Sequence, residues 1–176
     1  MKTRIGVDVD GVIRDFSTDL YNVIKEHYPD YIKPGSENIY SVEEIKRIYR
    51  EEFAHNILSN GTPIKENVDY LREQINKDEH TFVAVTSQHP ICCHHTLYWL
   101  GKYELGFSSV VFKKGRRKWQ VEVDYLIDDS PNNHEAWVAG RQMEDGFILM
   151  NQPWNKKIKT NYRVDSIKEA MELINE

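Results

Sequence analysis

Arg4-Ile5-Gly6-Val7-Asp8-Val9-Asp10-Gly11-Val12-Ile13 is the stretch that decides the fold. An apolar run with strand character stops at two aspartates two residues apart, and a glycine follows them. Side chains alternate faces along a strand, but this strand is ending. Gly11 lets the backbone break sharply, so both carboxylates can turn to one point at the strand's carboxyl edge. Two acids that close repel each other. Their pairing makes sense if a hard cation lies between them, or if one is ionised while the other carries a proton. The plainer alternative is an aspartate-rich turn that ends a strand and caps the next helix.

At 176 residues with 40% hydrophobic content, the chain is expected to form one domain with a real core and room for a small insertion. Its net charge of −5 argues against a general nucleic-acid binder, because phosphate backbones select basic faces. The two cysteines, Cys92 and Cys93, are adjacent. Neighbouring cysteines rarely bond each other, which implies no disulfide framework and a reducing compartment. No apolar stretch is long enough for a signal peptide or a membrane span, so a soluble cytoplasmic protein is expected.

Helical spacing over Ile13 to Tyr28 places Phe16, Leu20, Val23, Ile24 and Tyr28 near one face. Residues 30–60 break the rhythm. Tyr31 to Ser36 reads as a loop, Ser41 and Glu44 are spaced as a capping box for a charged helix reaching about Ala54, and Asn60-Gly61-Thr62-Pro63 marks a turn. Helices are then expected over Lys65 to Asn76, Ile91 to Tyr103, Asn132 to Ala139 (stopped by Gly140) and Ser166 to Ile174. Strands are expected over His80 to Thr86, Ser109 to Phe112, Tyr125 to Ile127 and Gly146 to Met150. This alternation predicts an α/β fold: a three-layer, doubly wound parallel sheet with a small helical cap insertion. The expected division is a core of residues 1–28 and 61–176 and a cap of residues 29–60, adjoining the helix at 13–28.

In such sheets the site lies beyond the carboxyl ends of the strands. The first strand ends at Asp8 and Asp10, the second at Thr86 and Ser87, and the fourth at Asp128 and Asp129, while a basic loop between the third and fourth ends in Lys118. Acids converging from two separate strands have the composition that a Mg²⁺ site needs, with water or substrate phosphate completing the shell.

This set resembles the haloacid-dehalogenase superfamily of phosphohydrolases. Its motifs stand here, in the family's order, as Asp8-Val9-Asp10-Gly11-Val12, Val83-Ala84-Val85-Thr86-Ser87, Lys118 and Leu126-Ile127-Asp128-Asp129. Within the superfamily the chain is most similar to the 5′(3′)-deoxyribonucleotidase group. The similarity rests on the opening Asp8 to Phe16, on Thr86-Ser87, on Trp99 and Tyr103 after it, on the ten-residue step from Lys118 to Asp128, and on Asn151-Gln152-Pro153-Trp154-Asn155 with Arg163. It thins over residues 30–60. The resemblance implies a Mg²⁺-dependent phosphomonoesterase acting on nucleoside monophosphates. Asp8 is then the nucleophile that forms an aspartyl-phosphate, and Asp10 the acid–base group. The Asp8 and Asp129 carboxylates and the Asp10 main-chain carbonyl hold Mg²⁺, Thr86, Ser87 and Lys118 hold the phosphate, and Asp128 stands behind as an orienting residue.

Other features carry weaker expectations. His89, Cys92, Cys93, His94 and His95 look like a zinc cluster, but they lie mostly on one helix, where only residues three or four apart share a face, so core and surface positions are expected instead. In the run Lys113 to Lys118, Arg116 or Arg117 is expected to help Lys118 collect an anionic substrate. Arg14 stands where the nucleotidase group has a small residue. It is a candidate substrate contact or a partner for an acid on the cap. Phe16 could stack on a base or pack in the core, as could Tyr31, Tyr40 and Tyr49. Trp119, Trp137 and Trp154 are expected to be packing residues. The competing functions are a phosphatase for another small phosphoester or for a nucleic-acid 3′-phosphate end, and a non-catalytic binding protein, which would be expected to lack Asp8, Asp10 or Lys118. The expected partner is a small phosphate ester, with no membrane and no long nucleic acid, and with a homodimer left open.

Overall fold

The computed structural model describes residues 2–32 and 43–176. The expected loop from residue 33 onward, the Ser41 capping box and Tyr40 lie outside the described residues. Six parallel strands form one sheet: β1 (Arg4–Val7), β2 (Thr81–Thr86), β3 (Ser109–Phe112), β4 (Tyr125–Asp128), β5 (Phe147–Met150) and β6 (Arg163–Val164), in the order β3-β2-β1-β4-β5-β6. β1 pairs with β2 on one side, Val7 opposite Ala84, and with β4 on the other, Val7 opposite Ile127.

Alternation along the strands builds both cores. Ile5, Val7, Ala84, Ile127 and Ile148 point to one face, where they pack against α3 (Lys65–Lys77), α4 (Cys93–Lys102) and α6 (Ile167–Asn175). Val83, Val85, Leu126, Phe147 and Leu149 point to the other, against Trp137 of α5 (Pro131–Arg141) and Trp119. Burial on both faces is what a parallel sheet requires, and it gives the three-layer, doubly wound arrangement that the strand–helix rhythm predicts.

A third apolar cluster lies apart from the sheet. It joins Phe16, Leu20 and Ile24 of α1 (Phe16–His27), Ile45, Ile48 and Tyr49 of α2 (Glu43–Glu51), and Ile57 and Leu58 of a π-helical turn, His55–Ser59. Among the described residues, no helix is long and apolar enough to cross a membrane. Cys92 and Cys93 are free thiols.

Some boundaries differ from those expected. α1 starts at Phe16 rather than Ile13, because Val9 to Asp15 are wound into a loop and the Asp15 carboxylate caps the helix by accepting from the Thr18 N–H. The third-layer helix does not stop at Gly140. It runs to Arg141 and ends at Gln142, whose φ is 57°. Gly140 is small for another reason: a Cβ there would collide with the Trp119 indole. β6 is two residues long, too short to show a sequence period.

Candidate active site

β1 and β4 are neighbours at the centre of the sheet, and the chain winds outward from them in opposite directions. A crevice opens beyond the carboxyl ends of strands at such a switch point. β1 delivers Asp8 there. The Val9 carbonyl then accepts from the N–H groups of Ile13 and Arg14, at 3.0 and 2.9 Å, and folds the chain back on itself. Gly11 sits in this loop at φ 79°, and a Cβ on it would collide with the Asp129 carboxylate. The glycine thus makes the sharp break and also lets β4's acid approach β1's loop.

Four groups meet at the centre. Lys118, fully buried in a 3₁₀ turn (Gly115–Gln120), places Nζ 2.6 Å from Asp8 Oδ2 and 2.7 Å from Asp128 Oδ2. The other Asp8 oxygen accepts from the Val9 N–H at 2.8 Å. Asp128 has both oxygens engaged: Oδ1 accepts from the Ser130 N–H, and Asn133 Nδ2 donates across both. Asp129 Oδ2 accepts from Trp154 Nε1 at 3.0 Å, and Asn155 Nδ2 holds its main-chain carbonyl at 2.8 Å. Oxygens of Asp8, Asp128 and Asp129 lie within 4.8 Å of one another.

Burial sets the electrostatics. It pushes the Asp8 carboxyl up to about 7; Lys118 opposes this, while the Asp128 and Asp10 charges add to it. Asp129 is pushed well above the usual carboxylate range by burial and by Asp128 and Asp8. Burial pulls the Lys118 ammonium down, but Asp128 and Asp8 outweigh it, so Lys118 stays charged. Three buried carboxylates facing one ammonium form an acidic oxygen pocket, and a hard divalent cation fits it. Asp129 and Asp8 are the carboxylates with room for it, because Asp128 is already saturated by protein donors.

A cavity of about 450 Å³ opens above this centre. Asp8, Asp10, Thr86, Ser87, Lys118 and Asp129, at and after the strand ends, line its floor, and Phe16, Leu20, Tyr21 and Tyr49 of α1 and α2 line it as well. The fold therefore brings together the acids, hydroxyls and lysine singled out at the strand ends, along with Phe16, and leaves Asp128 behind Lys118. The Thr86 hydroxyl is buried with no partner among the described residues, as is Gln88 Oε1. An unpartnered buried hydroxyl on a cavity floor is a donor held ready for a ligand.

Arg14 does not line the cavity. It is completely buried and donates to Asp10, the Leu58 carbonyl and Thr96. The substrate contact considered for it is not present in this geometry. Trp154 is not a packing residue either: it is 37% exposed, lines the cavity and donates to Asp129, whereas Trp137 is core and Trp119 packs beside it. Of the basic run, Arg116 reaches the cavity. Of the tyrosines considered, Tyr49 lines it and Tyr31 packs in the helical cluster. His89 and His94 are exposed, Cys92 is buried, and His95 Nδ1 is 2.8 Å from Ser59 Oγ, so these residues do not converge as a zinc site. Sequence reasoning missed Gln88, Asn133, Gln152 and Tyr21. Gln88 and Gln152 are polar loop residues whose partners follow another strand, Asn133 lies in the first turn of α5 and donates to Asp128 at the end of the strand before it, and Tyr21 looks like an ordinary surface position on α1. For Gln152 a signal existed, since it lies in the resembling segment 151–155; its Nε2 holds the Gly11 carbonyl at 2.8 Å.

The chain was compared with known families and structures. The model of the family described as 5′ nucleotidase, deoxy (pyrimidine), cytosolic type C protein matches residues 2–176. No curated protein matches. Among solved structures, the putative HAD-hydrolase YfnB from Bacillus subtilis, bound to magnesium, is similar at TM-score 0.67 and 15% identity, covering 99% of each chain. CbbY from Rhodobacter sphaeroides, in complex with phosphate, is similar at TM-score 0.58 and 15% identity, covering 96% of each chain. The HAD-superfamily hydrolase GSU2069 from Geobacter sulfurreducens PCA gives TM-score 0.56 and 16% identity, covering 98% of this chain and all of its own. At these identities the likeness shows the fold.

Proposed function

Since the chain belongs to the 5′ nucleotidase, deoxy (pyrimidine), cytosolic type C family of HAD-fold hydrolases, we propose that it removes phosphate from nucleoside monophosphates, 5′- and 3′-deoxyribonucleotides among them, with Asp8 as nucleophile. One observation carries this reading. Asp8 lies on the floor of a cavity, ion-paired to Lys118, with the Thr86 hydroxyl, which has no partner among the described residues, and the aromatic side chains Phe16, Tyr21 and Tyr49 lining the same cavity.

Asp8 attacks phosphorus, the bond from phosphorus to the leaving oxygen breaks, and Asp10 gives that oxygen a proton. Water then attacks the aspartyl-phosphate and gives its proton to Asp10, and the Asp8 carboxylate is released. Lys118 and the Thr86 hydroxyl hold the transferring oxygens, with Ser87 at the mouth of the same floor. Asp128 keeps Lys118 in place. A Mg²⁺ ion would be held by the Asp8 and Asp129 carboxylates and the Asp10 main-chain carbonyl, and would supply the positive charge that lets a phosphate dianion approach Asp8. Residues 29–60, with α1, act as the cap over a core of residues 1–28 and 61–176. Its aromatic residues Phe16, Tyr21 and Tyr49 face a base, whose flat ring they can contact. Arg116 at the rim attracts the anion.

A phosphate-release screen with Mg²⁺ tests this. It covers deoxy- and ribonucleoside 5′- and 3′-monophosphates, sugar phosphates and a 3′-phosphorylated oligonucleotide. Release from nucleoside monophosphates is expected. Release only from the other substrates would overturn the nucleotide reading and keep the phosphatase one.

A further inference from the structure

Asp10 is gripped from both sides. Arg14 Nε donates to its Oδ1 at 2.8 Å, and Gln88 Nε2 donates to its Oδ2 at 2.5 Å. Arg14 is fully buried, an expensive place for a guanidinium unless its donors are met. Here they are met by three separate parts of the fold. Besides Asp10, Nη1 donates to the Leu58 carbonyl in the π-helical turn at 2.7 Å, and Nη2 to Thr96 Oγ1 on α4 at 3.2 Å. The guanidinium also lies 5.4 Å from the centre of the Trp99 ring. A fork fixed at three points and over a ring cannot turn, so Oδ1 of Asp10 is held inward. Oδ2 is then the oxygen left on the cavity side, beside Gln88, which lines the cavity.

We propose that Arg14 and Gln88 are positioning residues that clamp the Asp10 carboxylate, so that its Oδ2 meets the leaving oxygen of the substrate. This rests on the phosphatase reading and deepens it. Neither residue touches phosphorus. Their effect passes through Asp10, which moves one proton to the leaving oxygen as the phosphorus–oxygen bond breaks. A poorly oriented acid costs most when the leaving group is an alkoxide, which must be protonated, and least when it is a stabilised phenolate, which leaves unaided. A purely structural role for Arg14 would weaken both reactions alike.

The test compares 4-nitrophenyl phosphate with an alkyl monophosphate, a nucleoside 5′-monophosphate, in the unaltered protein and in the Arg14→Lys and Gln88→Met variants. Arg14→Lys keeps the charge and most of the stem but loses the fork. Gln88→Met acts from the half-buried cavity side and keeps the clamp testable if Arg14→Lys does not fold, which circular dichroism and a thermal melt report. The expected result is a loss of kcat on the nucleotide at least about tenfold greater than the loss on 4-nitrophenyl phosphate, with little change in KM. Equal losses on the two substrates, or no loss on the nucleotide, would overturn the clamp. Turnover of neither substrate by the unaltered protein would overturn the phosphatase reading, and the clamp with it.

Discussion

The Lys118 ammonium lies 2.6 Å from the Asp8 carboxylate, and both groups are buried in the cavity floor. Asp128 holds the same ammonium at 2.7 Å from behind. One cation therefore pairs with Asp8 and is itself held by an acid that Asn133 and the Ser130 N–H have already fixed. A group held in this way needs no rearrangement when a phosphate arrives, which is what electrostatic stabilisation of the transferring group requires.

Replacing Lys118 by Met leaves Asp8 and Asp128 buried without their shared cation. Breaking a buried ion pair by removing one partner typically costs about 3–5 kcal/mol. Urea unfolding of Lys118→Met without metal is expected to show a loss of that order, and phosphate release should fall by about a hundredfold or more. Unchanged stability would contradict the geometry described for this centre.

The pH dependence follows from Asp8 and Asp129, whose carboxyls are both raised by burial. A carboxyl raised in the folded protein binds its proton more tightly than in the unfolded chain. Its contribution to stability is full below the ordinary value of 3.8 and is lost as pH rises through about 7 for Asp8. The metal-free protein therefore loses this contribution progressively as pH rises from the ordinary value of 3.8 to about 7. A divalent cation needs the ionised carboxylates, so Mg²⁺ gains affinity over the same window. Melting curves with and without Mg²⁺ should separate further at the higher pH. A separation that shrinks with pH would contradict the assignment of these carboxylates as ligands.

Trp154 donates to Asp129 Oδ2 at 3.0 Å while its ring lines the cavity. Trp154→Phe keeps an aromatic wall and removes the donor. Partners that orient a ligand carboxylate typically contribute about 10–100-fold to metal affinity. The Mg²⁺ concentration giving half-maximal phosphate release should rise by about that factor, with KM for nucleotide changing less.

Tyr21 is 38% exposed and lines the same cavity as Asp8, so its truncation is not expected to disturb the fold. Stacking of a base on an aromatic side chain is worth about 1–3 kcal/mol. Tyr21→Ala should raise KM for a nucleoside monophosphate by about fivefold or more, and leave glycerol phosphate nearly unaffected. Equal effects on both would remove the base from this wall.

Much of the site was legible because parallel sheets gather their strand ends. Asp8, Thr86 and Asp129 are far apart in the chain, yet each stands at the end of an apolar run, and the crossover rule brings them to one edge, while Lys118 ends the basic loop between two of those strands. The layer order was legible for the same reason. What was not legible depends on tertiary contact. Arg14 is a charged side chain at the core, and only the positions of Leu58, Thr96 and Trp99 show how it is accommodated. Trp154 looked like packing because nothing in its neighbourhood says that its N–H points at Asp129. Gly140 looked like a helix stop until Trp119 was seen to lie against it. β6, with two residues, has no pattern to read.

The central claim is covalent chemistry at Asp8. It is tested most directly by acid-quenching the protein while it turns over a nucleoside monophosphate with Mg²⁺, reducing with borohydride and mapping the peptides. Borohydride converts an aspartyl-phosphate to homoserine. The account predicts homoserine at position 8 and at no other aspartate. Homoserine at a different position, or none while phosphate is being released, would contradict it.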